Sequence, residues 1–302
     1  MKKNMSGEKF SHTPVLLQES IDFLNIKPGG TYVDCTLGGG GHTEAMITPS
    51  PLGRRGAGVR VICFDLDPEA IAAAKSKLAS HKNIIYINDN FSNLKKHLAA
   101  PVDGFLFDLG VSSHQIDTAA RGFSIREDGP LDMRLGQKQK LSARDIINDF
   151  PREELTKIFF QFGEEKFSRR VAKGICSKRE NKPIETTFQL KEIIEGAIPT
   201  WKKRESVTRI FQALRIAVNQ ELDSLKTAIN DAIELLKPEG RIVALTYHSL
   251  EDRIVKHTFR EAEDLKVLTK KPHLASEEEI FLNPRARSAK LRAAEKQNAQ
   301  IT

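Results

Sequence analysis

The sequence predicts an α/β protein: a doubly wound, mostly parallel sheet interrupted by an all-helical insert. Three observations predict it. Short apolar runs alternate with helical periodicity over the first 110 residues. Two of those runs end on a carboxylate and lead directly into a helix start. The alternation then stops for about a hundred residues before strand character returns, which marks the insert.

Strands are expected at about 31–35, 59–65, 84–87 and 103–109, separated by helical stretches at about 41–47, 68–80 and 91–100, the alternation that makes parallel βαβ units. Tyr32 to His42 reads as a buried strand that breaks into four consecutive glycines, Gly38 to Gly41. Such a run turns tightly and lets a ligand approach the backbone, because no Cβ stands in the way. Val61-Ile62-Cys63-Phe64-Asp65 is the second apolar run. After it Asp67 can cap a helix, Pro68 suits its first position, and 69–75 have high helix propensity. Asp34, Asp65 and Asp108 all fall at carboxyl ends of strands, where a doubly wound sheet holds its ligand.

Between Ser112 and Thr208 only short helical patterns occur, at 143–149, 153–162, 168–177 and 187–196. A long amphipathic helix is expected from about 207 to 236, stopped by Lys237-Pro238-Glu239-Gly240. Strand character resumes at 241–247, with a helix near 251–260 and a strand at 265–268. The sheet domain is therefore expected to comprise 1–111 and 209–302, and the helical insert 112–208.

With 39% hydrophobic and 29% charged residues in 302, the composition is that of a soluble globular protein. No apolar run approaches the ~18 residues of a membrane span, and the N-terminal lysines precede no apolar segment of a secretory signal. A cytoplasmic protein without a membrane partner is expected. Three cysteines without C-x-x-C spacing indicate neither a disulfide framework nor a metal site. Cys35 and Cys63 fall inside strands and read as small core residues. The net charge is +7, and 112–215 hold 21 Lys plus Arg against 15 Asp plus Glu. Arg285, Arg287, Lys290, Arg292 and Lys296 form a second basic cluster suited to phosphates. A solvated surface with a modest lysine excess explains the same charge, so this signal is weak by itself.

The loop's details separate two cofactor classes. A dinucleotide fingerprint needs a third glycine at position 43, which is Thr43 here. Asp34, four residues before the first glycine, would repel a pyrophosphate and attract the sulfonium and ammonium groups of S-adenosylmethionine.

Strand four runs into a second constellation, Asp108-Leu109-Gly110-Val111-Ser112-Ser113, then Gln115-Ile116-Asp117, Arg121-Gly122-Phe123-Ser124 and Asp128-Gly129-Pro130-Leu131-Asp132-Met133-Arg134. Together with His12-Thr13-Pro14-Val15-Leu16, the glycine loop, Thr208 to Leu222, His248-Ser249-Leu250-Glu251-Asp252-Arg253 and Asn283-Pro284-Arg285-Ala286-Arg287-Ser288, it resembles the RsmH (formerly MraW) family over about residues 12–295. Several motifs in one order make a chance match very improbable. The family methylates the exocyclic N4 amine of a cytidine, number 1402, in the decoding centre of bacterial 16S rRNA. The resemblance implies a Rossmann-like methyltransferase sheet with a helical insert facing rRNA, S-adenosyl-L-methionine as cofactor, and 16S rRNA within the small ribosomal subunit as partner. DNA is not expected, and oligomeric state stays open.

Carried over by position, the resemblance implies cofactor contacts at Gly40, Gly41, His42, Asp65, Phe91, Asp108 and Gln115. The reading of the loop itself adds Asp34 and Gly38. Departures from the family pattern are an expanded loop at 48–58, Tyr247 where phenylalanine is expected, and a short connection between Leu268 and Asn283.

Acceptors that hydrogen-bond the target amine would localise its lone pair and take up developing positive charge. Asp108, Ser112 and Ser113 are the first candidates, followed by Asp132, His248 and Ser249; a purely cofactor role for Asp108, and a buried backbone group satisfied by His248, are the competing readings. The base must leave its stack to react, and Arg121, Phe123 and Arg134 could stack on or flank it, with Arg285 and Arg287 as further RNA contacts. None of the cysteines lies in these motifs, which disfavours methylation of a pyrimidine carbon. Two other classes stay in view. A nicotinamide oxidoreductase is disfavoured by Thr43 and Asp34, whereas an RNA-binding assembly factor with a vestigial pocket accounts for the basic insert equally well.

Overall fold

A computed structural model describes residues 14–48, 56–110, 113–136 and 139–298. They divide into two compact units, 1–110 with 224–302, and 111–223.

The first unit carries strands β1 (Thr31–Asp34), β2 (Arg60–Phe64), β3 (Ile84–Ile87), β4 (Val102–Asp108), β5 (Leu236–Thr246), β6 (Leu265–Val267) and β7 (Lys290–Lys296). They form one sheet in the order β3-β2-β1-β4-β5-β7-β6. Pairing is parallel from β3 through β5, and β7 is antiparallel to both β5 and β6. Side-chain alternation sorts each strand into two cores. Tyr32, Val61, Cys63 and Leu106 pack on one face and Val33, Phe64, Phe105 and Phe107 on the other. Helices α1 (Leu17–Leu24), α2 (Gly41–Ile47) and α3 (Pro68–Lys77) cover the first face. The short α4 (Leu94–His97) contributes to the second face, together with helices that follow the inserted unit.

The helical unit holds α5 (Ser113–Asp117), α6 (Ala143–Asp149), α7 (Arg152–Gln161), α8 (Ser168–Arg179), α9 (Thr187–Ala197) and α10 (Lys203–Asn219). Its core is separate, built from residues such as Ile146, Phe159, Val171, Leu190, Ile210 and Leu214. Back in the sheet unit, α11 (Glu221–Glu234) and α12 (Ser249–Glu261) pack on the second face, and α13 (Glu277–Leu282) follows β6. None of the helices is long and apolar enough to cross a membrane among the described residues.

Four expectations need correction. The single helix at 207–236 is two helices, because Gln220 turns left-handed (φ 50°) and the Asn219 side chain bonds to Met133 O (2.9 Å) instead of facing outward. The second boundary of the insert accordingly falls at 223, not 208, since the apolar face of α10 belongs to the helical core. Lys237 to Gly240 is not a helix stop. It lies inside β5 at a register shift, with Glu239 at φ 62°. The C-terminal basic cluster is largely strand β7. Arg292 is 6% exposed and pairs with Asp252 (2.6 Å), Lys290 lies 3.6 Å from the same carboxylate, and Lys296 pairs with Asp264 (2.6 Å). Arg285 and Arg287 lie instead in the short turn Pro284–Ser288. Cys35 and Cys63 are core residues, as expected.

Candidate active site

Strand order reverses at β1, with β2 and β3 to one side and β4 to the other, so the carboxyl edge there is the switch point where doubly wound sheets bind ligands. Each strand delivers a carboxylate to that edge: Asp34 from β1, Asp65 after β2, Asp89 after β3 and Asp108 from β4.

Asp34 is 1% exposed, and it supports the loop from beneath. The Thr43 hydroxyl donates to its Oδ2 (2.6 Å) and the Thr36 amide to its Oδ1 (3.1 Å). Burial holds its carboxyl above the ordinary range, and the Thr43 hydrogen bond offsets part of that rise. Position 43 therefore uses its hydroxyl to anchor Asp34, a task glycine could not perform. With both oxygens engaged and 1% exposure, Asp34 supports the loop and is not open to a ligand, contrary to the expectation of a direct cofactor contact there.

The glycines divide the work. Gly38 is left-handed (φ 50°), its amide donates to Asp65 Oδ2 (2.8 Å), and a Cβ there would meet only Thr36 O at 3.9 Å. Gly40 is also left-handed (φ 72°), but its missing Cβ makes room for Leu78 and Ala74 of the neighbouring helix turn. Gly41 makes room for Pro14. Gly38 thus leaves the open side of the loop free, and the other two let the loop settle on the core.

Asp65 accepts from the Gly38 amide and, through Oδ1, from the Asp67 amide (2.9 Å). Burial pushes its carboxyl up to about 6 despite these two donors. Asp67 in turn caps α3 by accepting from the Glu69 amide (3.0 Å), with Pro68 at the first helical position. This is the capping arrangement its sequence predicts.

At the end of β4, Asp108 Oδ1 accepts from the Tyr247 hydroxyl (2.7 Å), while Oδ2 lies 3.6 Å from His42 Nδ1. Burial, then the Asp108 charge, holds the Tyr247 phenol well above its usual value, so it stays protonated as a donor. Tyr247 is the functional neighbour that sequence reasoning missed. Its signal was the departure from an expected phenylalanine. His42 is 6% exposed, and its Nε2 is buried without a hydrogen-bond partner. Phe91 lies half-buried in the turn after β3, edge-on to Phe107 at 5.9 Å. His248 caps α12: its Nδ1 accepts from the Glu251 amide (3.4 Å), and the Glu251 side chain returns to the His248 amide.

A cationic nucleoside fits this edge. Asp34 lies within electrostatic reach of both Asp108 and Asp65, so acidic groups are concentrated at this edge. The unpartnered His42 Nε2 marks a polar atom that calls for a ligand. S-adenosylmethionine would be held by Asp65 at its ribose, beside Gly38 and His42.

The helical unit carries the other expected residues. Gln115 is buried on α5. Ser112 lies outside the described residues, and Ser113 begins α5, with its side chain outside the description. Asp132 is held in a two-point pair by Arg134 (2.7 Å to each oxygen). Burial works against ionisation of Asp132, but the Arg134 bonds prevail and keep its carboxyl below the usual range. Arg121 donates to the backbone of Arg134 and Leu135 (3.2 Å each), and Phe123 packs against the helical core. The expected RNA contacts Arg121, Phe123 and Arg134 thus bind one another's segment, and Met133 between them is forced to φ 60° with Asn219 on its carbonyl.

A mostly parallel seven-stranded sheet with an antiparallel β7 and acidic residues at its switch-point edge is a Rossmann-like α/β fold. The chain belongs to the MraW methylase family, whose sequence profile matches residues 9–297. The family transfers methyl groups from S-adenosylmethionine. Ribosomal RNA small subunit methyltransferase H of Finegoldia magna is 46% identical over 95% of this chain and 99% of its own. Among solved structures, an rRNA methylase from Streptococcus thermophilus covers 95% of this chain and 100% of its own at 12% identity and TM-score 0.47. N-methyltransferase NodS from Bradyrhizobium japonicum, bound to S-adenosyl-L-homocysteine, covers 93% and 86% at 9% identity and TM-score 0.41.

Proposed function

We propose that this chain methylates the exocyclic N4 amine of cytidine 1402 in 16S rRNA, within the small ribosomal subunit in the cytoplasm. The observation that carries the reading is family membership over nearly the whole chain, joined to the 46% identity with a small-subunit rRNA methyltransferase.

The bound donor supplies an electrophilic methyl carbon on sulfur, displaced in line by the amine. The chain's own task is positioning and charge placement. Asp65 holds the ribose diol. Asp108 accepts an N–H of the target amine through Oδ2, drawing density onto the nitrogen and receiving the proton as positive charge develops. The Tyr247 hydroxyl occupies Oδ1, which fixes the carboxylate's orientation. Gly38, Gly40 and Gly41 shape the loop, His42 donates toward the donor or Asp108, Phe91 lies on the adenine side, and Gln115 is a further cofactor position by family resemblance. Ser112 and Ser113 are the next candidates after Asp108 for accepting from the amine. Asp132, paired with Arg134, and His248, capping α12, contribute by holding their segments. Arg121, Phe123, Arg134, Arg285 and Arg287 belong to the RNA-facing surface on this reading.

The test supplies labelled S-adenosylmethionine with intact small subunits, naked 16S rRNA and DNA, then maps the product by mass spectrometry. Label on the N4 of cytidine 1402 is the expected result. Label on another nucleotide, or on DNA alone, would refute it.

A further inference from the structure

Trp201 is the only tryptophan of the chain, and 82% of it is exposed. It sits in the short turn Thr200–Lys202, which follows Pro199 and leads into α10. An indole placed so far into solvent contributes almost nothing to the helical core. Its neighbours are cationic. Lys202, Lys203 and Arg204 follow it directly, and Arg209 lies on the next turns of α10. One carboxylate, Glu205, serves several of them: Lys202 Nζ at 2.8 Å, Arg209 Nη2 at 2.6 Å, and the charge of Lys166. Neither Lys203 nor Arg204 has an ion-pair partner among the described residues.

An exposed aromatic face among unneutralised cations is the arrangement that binds single-stranded nucleic acid, with a base stacked on the ring and flanking phosphates on the cations. A protein-binding anchor sits instead among apolar neighbours that exclude water, and here the flanking sequence is Pro199, Thr200, Lys202, Lys203 and Arg204, mostly polar or cationic. A duplex keeps its bases stacked, so the ring selects an unpaired one.

We propose that Trp201 is a stacking platform for an unpaired base of RNA, with Lys203 and Arg204 taking the adjoining phosphates. The inference rests on the reading of the chain as an rRNA methyltransferase and adds an RNA-docking point to it. Trp201 acts in docking and touches no reacting atom.

The test compares wild type with Trp201→Ala and Trp201→Phe in methyl transfer to intact small subunits. Circular dichroism and calorimetric donor binding check that each variant is folded. The expected result is a rise in KM of about fivefold or more for Trp201→Ala, the loss that follows removal of one aromatic platform. The loss falls on KM rather than kcat, and Trp201→Phe recovers most of it. In parallel, a short unstructured oligoribonucleotide should quench the tryptophan emission of the wild-type protein, and added salt should reverse the quenching. A wild-type KM in Trp201→Ala overturns the proposal. So does a raised KM with emission unmoved by RNA, which would place a ribosomal protein on the ring. If wild-type protein transfers no methyl group to small subunits, the functional reading fails separately, and the emission titration still decides whether RNA occupies Trp201.

Discussion

The Asp65 carboxyl lies at about 6 because burial outweighs the Gly38 and Asp67 amides. In an unfolded chain it would titrate at roughly 3.9. The folded state therefore holds this proton more tightly, and the group's contribution to stability falls as pH rises through the window from about 4 to about 6. Donor binding follows the opposite sign. A ribose diol donates to the ionised carboxylate and lowers its affinity for the proton. Donor affinity should be flat above about 6 and weaken by about tenfold near pH 5, with a proton released on binding. Calorimetry in two buffers of different ionisation enthalpy checks both parts; equal affinity at the two pH values would remove Asp65 from the ribose. Asp108→Ala should lower kcat by about 10²- to 10³-fold, as loss of one preorganised charge partner does, with donor affinity changed far less. Single-turnover transfer on small subunits measures it. Strand-end carboxylates such as these were legible in the sequence because a carboxylate closing an apolar run is a local pattern. The Tyr247 hydroxyl on Asp108 joins residues 139 apart, and no local pattern announces it.

Strand β7 shows how an element can hide behind its charges. Lys290 to Lys296 reads as a basic tail, yet Leu291, Arg292, Ala293 and Ala294 are all buried between β5 and β6. Arg292 tolerates this place because Asp252 on α12 meets it with two hydrogen bonds (2.6 and 3.3 Å). Asp252→Ala would strand a buried guanidinium and should cost roughly 2–3 kcal/mol, below the full cost of breaking a buried pair, since 15% of the Asp252 side chain is exposed. Urea denaturation measures the loss; a change under about 0.5 kcal/mol would mean the charge finds water. The break between α10 and α11 has the same origin. The apolar period runs through it unbroken, but Asn219 spends its side chain on Met133 and Arg215 carbonyls and on the Leu135 amide, and Arg215 pairs with Glu221 across the junction. By contrast α3 and its cap were fully readable, because Asp67, Pro68 and the alanines after them are adjacent in sequence.

At the scale of the whole chain, the net charge of +7 and the basic excess of the insert favour a polyanion. RNA affinity should fall by an order of magnitude or more between about 50 and about 200 mM salt, through counterion release, while donor affinity moves little. Filter binding with rRNA fragments and calorimetry with the donor test the contrast; parallel losses for both ligands would argue against phosphate contacts. By itself the sequence determined the class of sheet, the presence of a helical insert and the carboxylates at the ligand edge, which follow from periodicity and from residues adjacent along the chain; the cofactor type followed from the family resemblance of its motifs. The tertiary structure alone decided where the insert ends, that the C-terminal cations close the sheet, that Arg121 and Arg134 bind their own segment, and that Trp201 stands in solvent. The reason is physical: a charged or aromatic side chain takes its role from whichever partner folding brings to it, and that partner lies far away in sequence.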